Sequence, residues 1–261
     1  MSESLQLLRD GPIARLRLNR PELHNAFDAT LIAALTSCLQ GLADDTSVRV
    51  VVLEGAGNSF SAGADLHWMR GMAAASESAN REDALALARL MRLLDTLPTP
   101  TIARVHGAAF GGGVGLIACC DIAIGASTAK FGLTESKLGL LPAVISPYVI
   151  AAIGPRQARR WFATAEIFDA DEAGRIGLLH QVVEADQLDA AIQQQIELLL
   201  KVGPIAVGMS KKLVRTLVND DDAETIDAAN ADLIAKLRVS EEGQEGLSAF
   251  LDKRKPAWCR E

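Results

Sequence analysis

Two runs of small residues, each set directly behind a stretch of apolar β-formers, constrain this chain more than any other feature. Residues 48–53 lead into Gly55-Ala56-Gly57 and then Ser61-Ala62-Gly63-Ala64-Asp65-Leu66, and Thr101–Val105 leads into Gly107-Ala108-Ala109-Phe110-Gly111-Gly112-Gly113. Small residues in such places let a backbone come close to another backbone or to a ligand. Two backbone N–H groups converging from separate loops bind a carbonyl oxygen more tightly as it gains negative charge. That is an oxyanion hole, and each donor in one is worth about 2.7–4 kcal/mol of barrier.

The rest of the pattern is α/β. Residues 5–8 and Ile13–Leu18 alternate around Asp10-Gly11-Pro12 as a hairpin, and Asp28 caps a helix with Leu31, Leu35, Cys38, Leu39 and Leu42 at helical spacing. An amphipathic helix is expected over 81–97 with Leu87, Leu90, Met91 and Leu94 on one face, and the run Gly111-Gly112-Gly113 opens an apolar helix through Cys119. Short strands are expected at 121–124, 129–131 and 180–183. After about Leu188 the pattern turns helical, over 188–202, 205–218 and 223–251, with a break at Gly203-Pro204. The expected division is therefore a core over 1–195 and a helical region over 196–261 whose apolar stripes need cover.

A net charge of −7 offers nothing to nucleic acid, so an anionic ligand must be held by local cations and backbone amides. Cys38, Cys119, Cys120 and Cys259 show no zinc-ligand spacing; the adjacent pair reads as buried reduced thiols, and no metal site is expected. Met1-Ser2-Glu3-Ser4 carries no leader pattern and the apolar runs fall short of a span, so a cytoplasmic protein is expected.

Several motifs, taken together, resemble the enoyl-CoA hydratase/isomerase (crotonase) family. They are Leu18-Asn19-Arg20-Pro21-Glu22-Leu23-His24-Asn25-Ala26, Phe60-Ser61-Ala62-Gly63-Ala64-Asp65-Leu66, the stretch from His106 to Gly113, Cys120-Asp121-Ile122-Ala123 and Phe131-Gly132-Leu133-Thr134-Glu135. The resemblance implies an α/β spiral of ββα units with a helical C-terminal trimerisation region, assembled as a homotrimer or homohexamer. It implies an oxyanion hole from the N–H groups of Ala64 and Gly112, polarising an acyl-CoA thioester. Ala26, Ala62, Asp65, Leu66 and His67 would then lie along the coenzyme A portion. Coenzyme A is part of the substrate, and no separate cofactor is implied.

Glu135 takes the position of the family's second catalytic glutamate. Its neighbours Gly132, Leu133, Leu138 and Leu140 suggest an apolar wall, where a carboxyl is harder to ionise. The family's first glutamate, three residues beyond Gly112, is replaced by Gly115, so Glu135 would act alone, as hydratase or as double-bond isomerase. Gly115-Leu116-Ile117-Ala118-Cys119-Cys120-Asp121 and Pro142-Ala143-Val144-Ile145-Ser146-Pro147-Tyr148 resemble bacterial methylglutaconyl-CoA hydratases of leucine breakdown. The substrate implied is 3-methylglutaconyl-CoA, whose distal carboxylate needs a cationic or amide partner. His67 and Arg70 are candidates by position; the competing reading sets them on the outer side of a short helix with Trp68 and Met69 inward. His24 and His106 read as structural hydrogen-bonding groups, and Lys253 and Lys255 as a solvated helix end or as ligands for CoA phosphates. Two further readings stay open: a non-catalytic acyl-CoA-binding protein, favoured by Gly115, and a nicotinamide enzyme, from the G-x-G-x-x-A match at Gly113-Val114-Gly115-Leu116-Ile117-Ala118.

Overall fold

Every residue from Val50 to Gly55 is buried, so the strand they form is covered on both faces. The computed structural model describes residues 3–217 and 222–259. In chain order its elements are β1 (Leu5–Asp10), β2 (Ile13–Leu18), α1 (Ala29–Ala43), β3 (Val50–Gly55), α2 (Leu66–Ala74), α3 (Glu77–Asp95), β4 (Thr101–Val105), β5 (Ala108–Phe110), α4 (Gly112–Cys119), β6 (Ile122–Ala126), β7 (Lys130–Gly132), α5 (Ser146–Thr164), β8 (Ile167–Asp169), α6 (Ala170–Arg175), β9 (Gln181–Val183), α7 (Leu188–Leu200), α8 (Pro204–Leu217), α9 (Ala223–Arg238) and α10 (Glu241–Leu251).

The main sheet has the order β1-β2-β3-β4-β6-β9, and the second, smaller sheet β5-β7-β8. Only the β1–β2 hairpin is antiparallel in the first; every later pair runs parallel, as crossover helices require. Alternation then sorts the side chains. Val51, Leu53, Ala103 and Val105 face the larger core with Leu31, Leu35 and Leu39 of α1, Leu90 and Leu94 of α3, and Val114 and Leu116 of α4. Val50, Val52, Ile102 and Ile124 face Leu188, Ile192 and Ile196 of α7 on the other side. Full burial of such a side chain is worth about 1.5–3 kcal/mol. No helix among the described residues is long and apolar enough to cross a membrane.

Several boundaries differ from the sequence expectation, each for a local reason. The strand expected at 48–53 begins at Val50 and runs to Gly55. The helix expected from residue 81 begins at Glu77, because Ser76 accepts the Ala79 N–H at 3.2 Å and starts it a turn earlier. The helix expected over 223–251 is two: Ser240 caps α10, and Gly243 lies where a Cβ would fall 2.0 Å from the Leu237 carbonyl oxygen. α5 was hidden by its prolines; Pro147 sits in the first turn, where its missing N–H costs nothing, and Gly154 (φ 76°) breaks the helix before Pro155. The division expected at 195/196 falls inside α7, which runs to Leu200 rather than 202. Val218, expected to end the helix over 205–218, lies outside the described residues.

Candidate active site

β3 and β4 are parallel neighbours, so the loops that follow them leave the sheet at the same edge. There the loops pair with each other. Phe60 N–H donates to the His106 carbonyl at 2.9 Å, Ser61 N–H to Ala108 at 3.1 Å, and Phe110 N–H to Ser61 at 2.9 Å. The approach explains the glycines. A Cβ on Gly107 (φ +60°) would sit 1.8 Å from the Asn58 carbonyl oxygen, one on Gly63 (φ +86°) 2.9 Å from that of Phe110, and one on Gly113 2.6 Å from that of Ser61. No side chain fits between the loops, so the residues that follow them, Ala64 and Gly112, are held in fixed relation.

Ala64 is exposed, and it is bracketed by bonds that leave its own N–H unused: Phe27 N–H donates to Gly63 at 2.7 Å and Asp65 N–H to Phe27 at 2.8 Å. Gly112 is the first residue of α4, so its N–H has no acceptor within the helix, and no side chain caps that end. The Phe27 ring packs beneath it, 2.5 Å from where a Gly112 Cβ would be. Ala64 and Gly112, one from each loop, are the residues whose N–H groups the sequence reading expects to act as donors, and among the described residues neither N–H is bonded.

The segment before α1 cradles the first loop. Asn25, fully buried at φ 57°, donates from its amide to the carbonyls of Ala56 (2.9 Å) and Ser59 (2.7 Å), and its own carbonyl accepts from Ser61 Oγ at 2.9 Å. Arg20 reaches Asp28 (3.1 Å), Asp65 (3.0 Å) and the Ala26 carbonyl (2.7 Å) with one guanidinium. Asp65 also accepts from the His67 and Trp68 N–H groups, capping α2. Burial alone would raise its pKa, but those amides and Arg20 bring it below the usual carboxylate range. Its carboxylate is thus occupied, leaving Asp65 only its backbone for a ligand. Ala26 is buried and Ala62 half-buried, with Ala62 N–H bonded to the His24 carbonyl.

Glu135 enters from the other sheet. β7 pairs with β5, the strand leading into Gly111, and Glu135 opens a short 3-10 turn three residues beyond β7. The Phe131–Phe168 stack (5.6 Å) and Trp161 against Phe168 (4.5 Å) anchor that strand. A Cβ on Gly111 (φ +49°) would stand 3.2 Å from Glu135 Oε1, so the carboxyl lies against the residue preceding Gly112. Its Oε2 is buried and has no hydrogen-bond partner among the described residues, and burial raises the pKa. A buried carboxyl oxygen with nothing to bond is a group held ready to take a proton.

The place where a side chain from residue 115 would begin is filled. A Cβ on Gly115 would lie 2.3 Å from Ile145 Cγ2, 2.8 Å from Ile145 Cβ and 3.3 Å from Met91 Cε. The missing glutamate and the Ala143-Val144-Ile145 sequence are therefore one feature: Ile145 occupies what a second carboxylate would need. Nothing in the sequence ties positions 30 residues apart, and neither this contact nor the packing of Phe27 beneath Gly112 carries a sequence signal.

The other expected residues divide. His67 and Arg70 are exposed on α2 while Trp68 and Met69 are half-buried, and Leu66 is exposed at 72%. His24 Nδ1 lies 3.0 Å from Ser59 Oγ and His106 Nε2 2.8 Å from the Gly57 carbonyl oxygen, both structural bonds as expected. Lys253 and Lys255 are exposed beyond α10. Cys119 and Cys120 are buried free thiols; Cys38 and Cys259 are free and half-buried. The dinucleotide match fails on geometry: Gly113 and Gly115 lie inside α4, backed by Ser61 and Ile145, and not in a phosphate-binding turn before it.

Comparison with known proteins gives one answer. The model of the family described as enoyl-CoA hydratase/isomerase matches residues 9–261. A crotonyl-CoA hydratase from Syntrophomonas wolfei is 33% identical, the match covering 97% of this chain and 96% of that one. The crystal structure of an enoyl-CoA hydratase from Shewanella pealeana superposes with a TM-score of 0.95 at 45% identity, covering 98% of this chain and 96% of the other. Pseudomonas aeruginosa AtuE gives 0.95 at 39% identity, covering 99% and 100%.

Proposed function

Because the chain belongs to the enoyl-CoA hydratase/isomerase family, with the crotonase fold of its solved relatives, we propose that it adds water across the double bond of an enoyl-CoA with Glu135 as its single carboxylate. The observation that carries this is the unpartnered Glu135 Oε2, on a carboxyl that lies against Gly111. The thioester oxygen would be received by the N–H groups of Ala64 and Gly112. Glu135 would take a proton from water as the water oxygen bonds C3. The C2–C3 π pair moves toward C1, placing negative charge on the thioester oxygen, where the two donors stabilise it. Glu135 then returns its proton to C2 and the thioester carbonyl re-forms. One carboxyl serves both transfers, and no net proton is left over.

The substrate proposed is 3-methylglutaconyl-CoA, giving 3-hydroxy-3-methylglutaryl-CoA in leucine breakdown. What supports this reading is the resemblance of the stretches 115–121 and 142–148 to methylglutaconyl-CoA hydratases, with Ile145 and Met91 packed where a side chain at residue 115 would begin. The coenzyme A portion would follow Ala26, Ala62 and the backbone from Ala64 to His67. Val239, Phe250 and Leu251 at the C-terminal helices are 75–80% exposed, apolar surface that fits a homotrimer or homohexamer. The free thiols fit a reducing, cytoplasmic setting.

Loss of the enoyl-thioester ultraviolet absorbance on mixing with 3-methylglutaconyl-CoA tests the reading, with Glu135→Gln as control and product mass measured in oxygen-18 water. Label uptake that depends on Glu135 supports it. Movement of the double bond without label would make the enzyme an isomerase, the other reaction a lone base suits. If wild type and Glu135→Gln are equally inert toward a panel of enoyl-CoAs, the chain is a binding protein.

A further inference from the structure

Beside the site, where β2, β3, β4 and α7 meet, Arg15, Arg17, Glu54, Arg104, His106 and Asp189 form a charged cluster that the chemistry above does not use. His106 alone among them grips the first oxyanion loop. Its Nε2 lies 2.8 Å from the Gly57 carbonyl oxygen, which can only accept, so Nε2 carries the hydrogen. Its Nδ1 lies 3.3 Å from Arg104 Nη1, which can only donate, so Nδ1 carries none. Only the neutral ring with its proton on Nε2 satisfies both. Arg104 is itself held by Asp189 at 2.6 Å.

The grip comes at the root of the pairing between the two loops. Gly57 (φ +72°) forms the turn of the first loop, and Phe60 N–H bonds the main-chain carbonyl of His106. Side chain and backbone of one residue on β4's end thus hold residues 57 and 60 together, ahead of the bonds that lead to Ala64 and Gly112. We propose that His106 is a positioning residue: its neutral ring, held by Arg104, sets the first oxyanion loop against the second, and protonating it loosens Ala64 relative to Gly112 and lowers turnover. The proposal rests on the oxyanion-hole reading of those two amides.

The groups facing the ring give the sign. Adding a proton at Nδ1 would turn an acceptor into a donor 3.3 Å from a guanidinium nitrogen. The Gly57 carbonyl, Glu54 on β3 and Asp189 on α7 would favour the charge. Yet Glu54 already bonds Arg17 at 2.7 Å and Arg15 at 3.4 Å of β2, and Asp189 already bonds Arg104. Burial, with Arg104 adding to it, depresses the ring's pKa below the ordinary histidine range. Protonation thus keeps the Nε2–H bond to Gly57 but loses the Arg104 bond and sets two cations side by side, so the arrangement is complete while the ring is neutral and strained once it is charged.

The test is kcat and KM for the enoyl-CoA substrate across mildly acid to alkaline pH, for wild type, His106→Asn and His106→Leu. Asparagine can donate to Gly57 and cannot titrate; leucine can do neither. Expected is a kcat loss of up to about 100-fold for the leucine variant at alkaline pH, the scale of a misplacement of about 1 Å, with KM little changed. The asparagine variant should recover most of that loss and show an acid limb shallower by one proton, leaving the limb of Glu135. A leucine variant with wild-type kcat, or an asparagine variant with the wild-type acid limb, overturns the proposal. NMR of the wild type supplies a second readout if the leucine variant fails to fold. The amide shifts of Ala64 and Gly112 should follow the His106 titration, and shifts that ignore it also refute the proposal. A wild type inert to every enoyl-CoA would sink the hydration reading, and the amide shifts would still judge the coupling.

Discussion

Replacing Gly115 by alanine tests the idea that Ile145 fills the place of a second carboxylate, because the sign of the effect is at stake. Inside a helix, Gly→Ala with open space around it stabilises by about 0.8–1.0 kcal/mol. Gly41 in α1 is such a position, with nothing within 4 Å of a built Cβ. At Gly115 in α4 the new methyl would meet Ile145 Cγ2 at 2.3 Å and its Cβ at 2.8 Å. Ile145 is 3% exposed, and the atoms struck are the branch point of its side chain, so it cannot swing a flexible end aside. Overpacking of this kind costs about 1–3 kcal/mol, and the upper end applies to so deep an overlap. After subtracting the helix gain, the net is a loss of about 2 kcal/mol, or roughly 4–8 °C in Tm for a chain of this size. Thermal unfolding by circular dichroism at one protein concentration and scan rate measures it, with Gly41→Ala expected to melt higher than wild type. Ile145→Ala alone leaves a cavity costing about 2–5 kcal/mol, and the Gly115→Ala/Ile145→Ala pair should fall short of the summed losses by about 1 kcal/mol. A Gly115→Ala protein that melts at or above wild type, or two effects that simply add, would refute the contact and the reasoning built on it.

Glu135→Gln should lower kcat by about 100–10,000-fold, the usual worth of a positioned acid–base group, while an acyl-CoA product analogue still binds by calorimetry. The same substitution should raise stability at neutral pH. Burial raises the Glu135 pKa in the folded state, so its favourable contribution is complete below the unfolded pKa and is lost as pH rises through the folded one. The Tm advantage of the glutamine protein over wild type should therefore shrink as pH falls through the raised pKa of the folded carboxyl and be gone below the ordinary glutamate range, and a pH-independent difference would contradict the assignment. Arg20→Met should cost about 3–5 kcal/mol in urea unfolding, since it strands the buried Asp65 carboxylate without its cation; a loss below about 1 kcal/mol would place that pair among ordinary surface bridges.

The parts of the site legible in the sequence are those whose signal is local. A β-rich run followed by small residues announces a close approach of two backbones, and the contacts at Gly63, Gly107 and Gly113 show that no Cβ has room there. Strands buried on both faces announce themselves too, since residues 50–53 are an unbroken apolar run and Thr101–Val105 carries Ile102, Ala103 and Val105. α5 was not legible: Gly154 and Pro155 look like a terminator, and only tertiary packing shows that helix resuming on the far side. Long-range pairings left no mark either. Ile145 over Gly115, Phe27 beneath Gly112 and His106 across to Gly57 each depend on where separate elements meet, which no period or motif encodes.

That division follows from what the proposed chemistry uses. An oxyanion hole made of main-chain N–H groups asks nothing of side-chain identity at Ala64 or Gly112 except smallness, so its sequence signature is an absence of bulk. Main-chain bonds between the loops set their register, and side chains of neighbouring segments brace them. Those side chains are Asn25 and Arg20 under the first loop, Phe27 under Gly112, and His106 across to Gly57. A change at any of them can leave both donors and Glu135 intact in sequence and still cost turnover. Variants of this enzyme should therefore be judged first by whether they disturb that scaffold, and only then by the residues that touch the thioester.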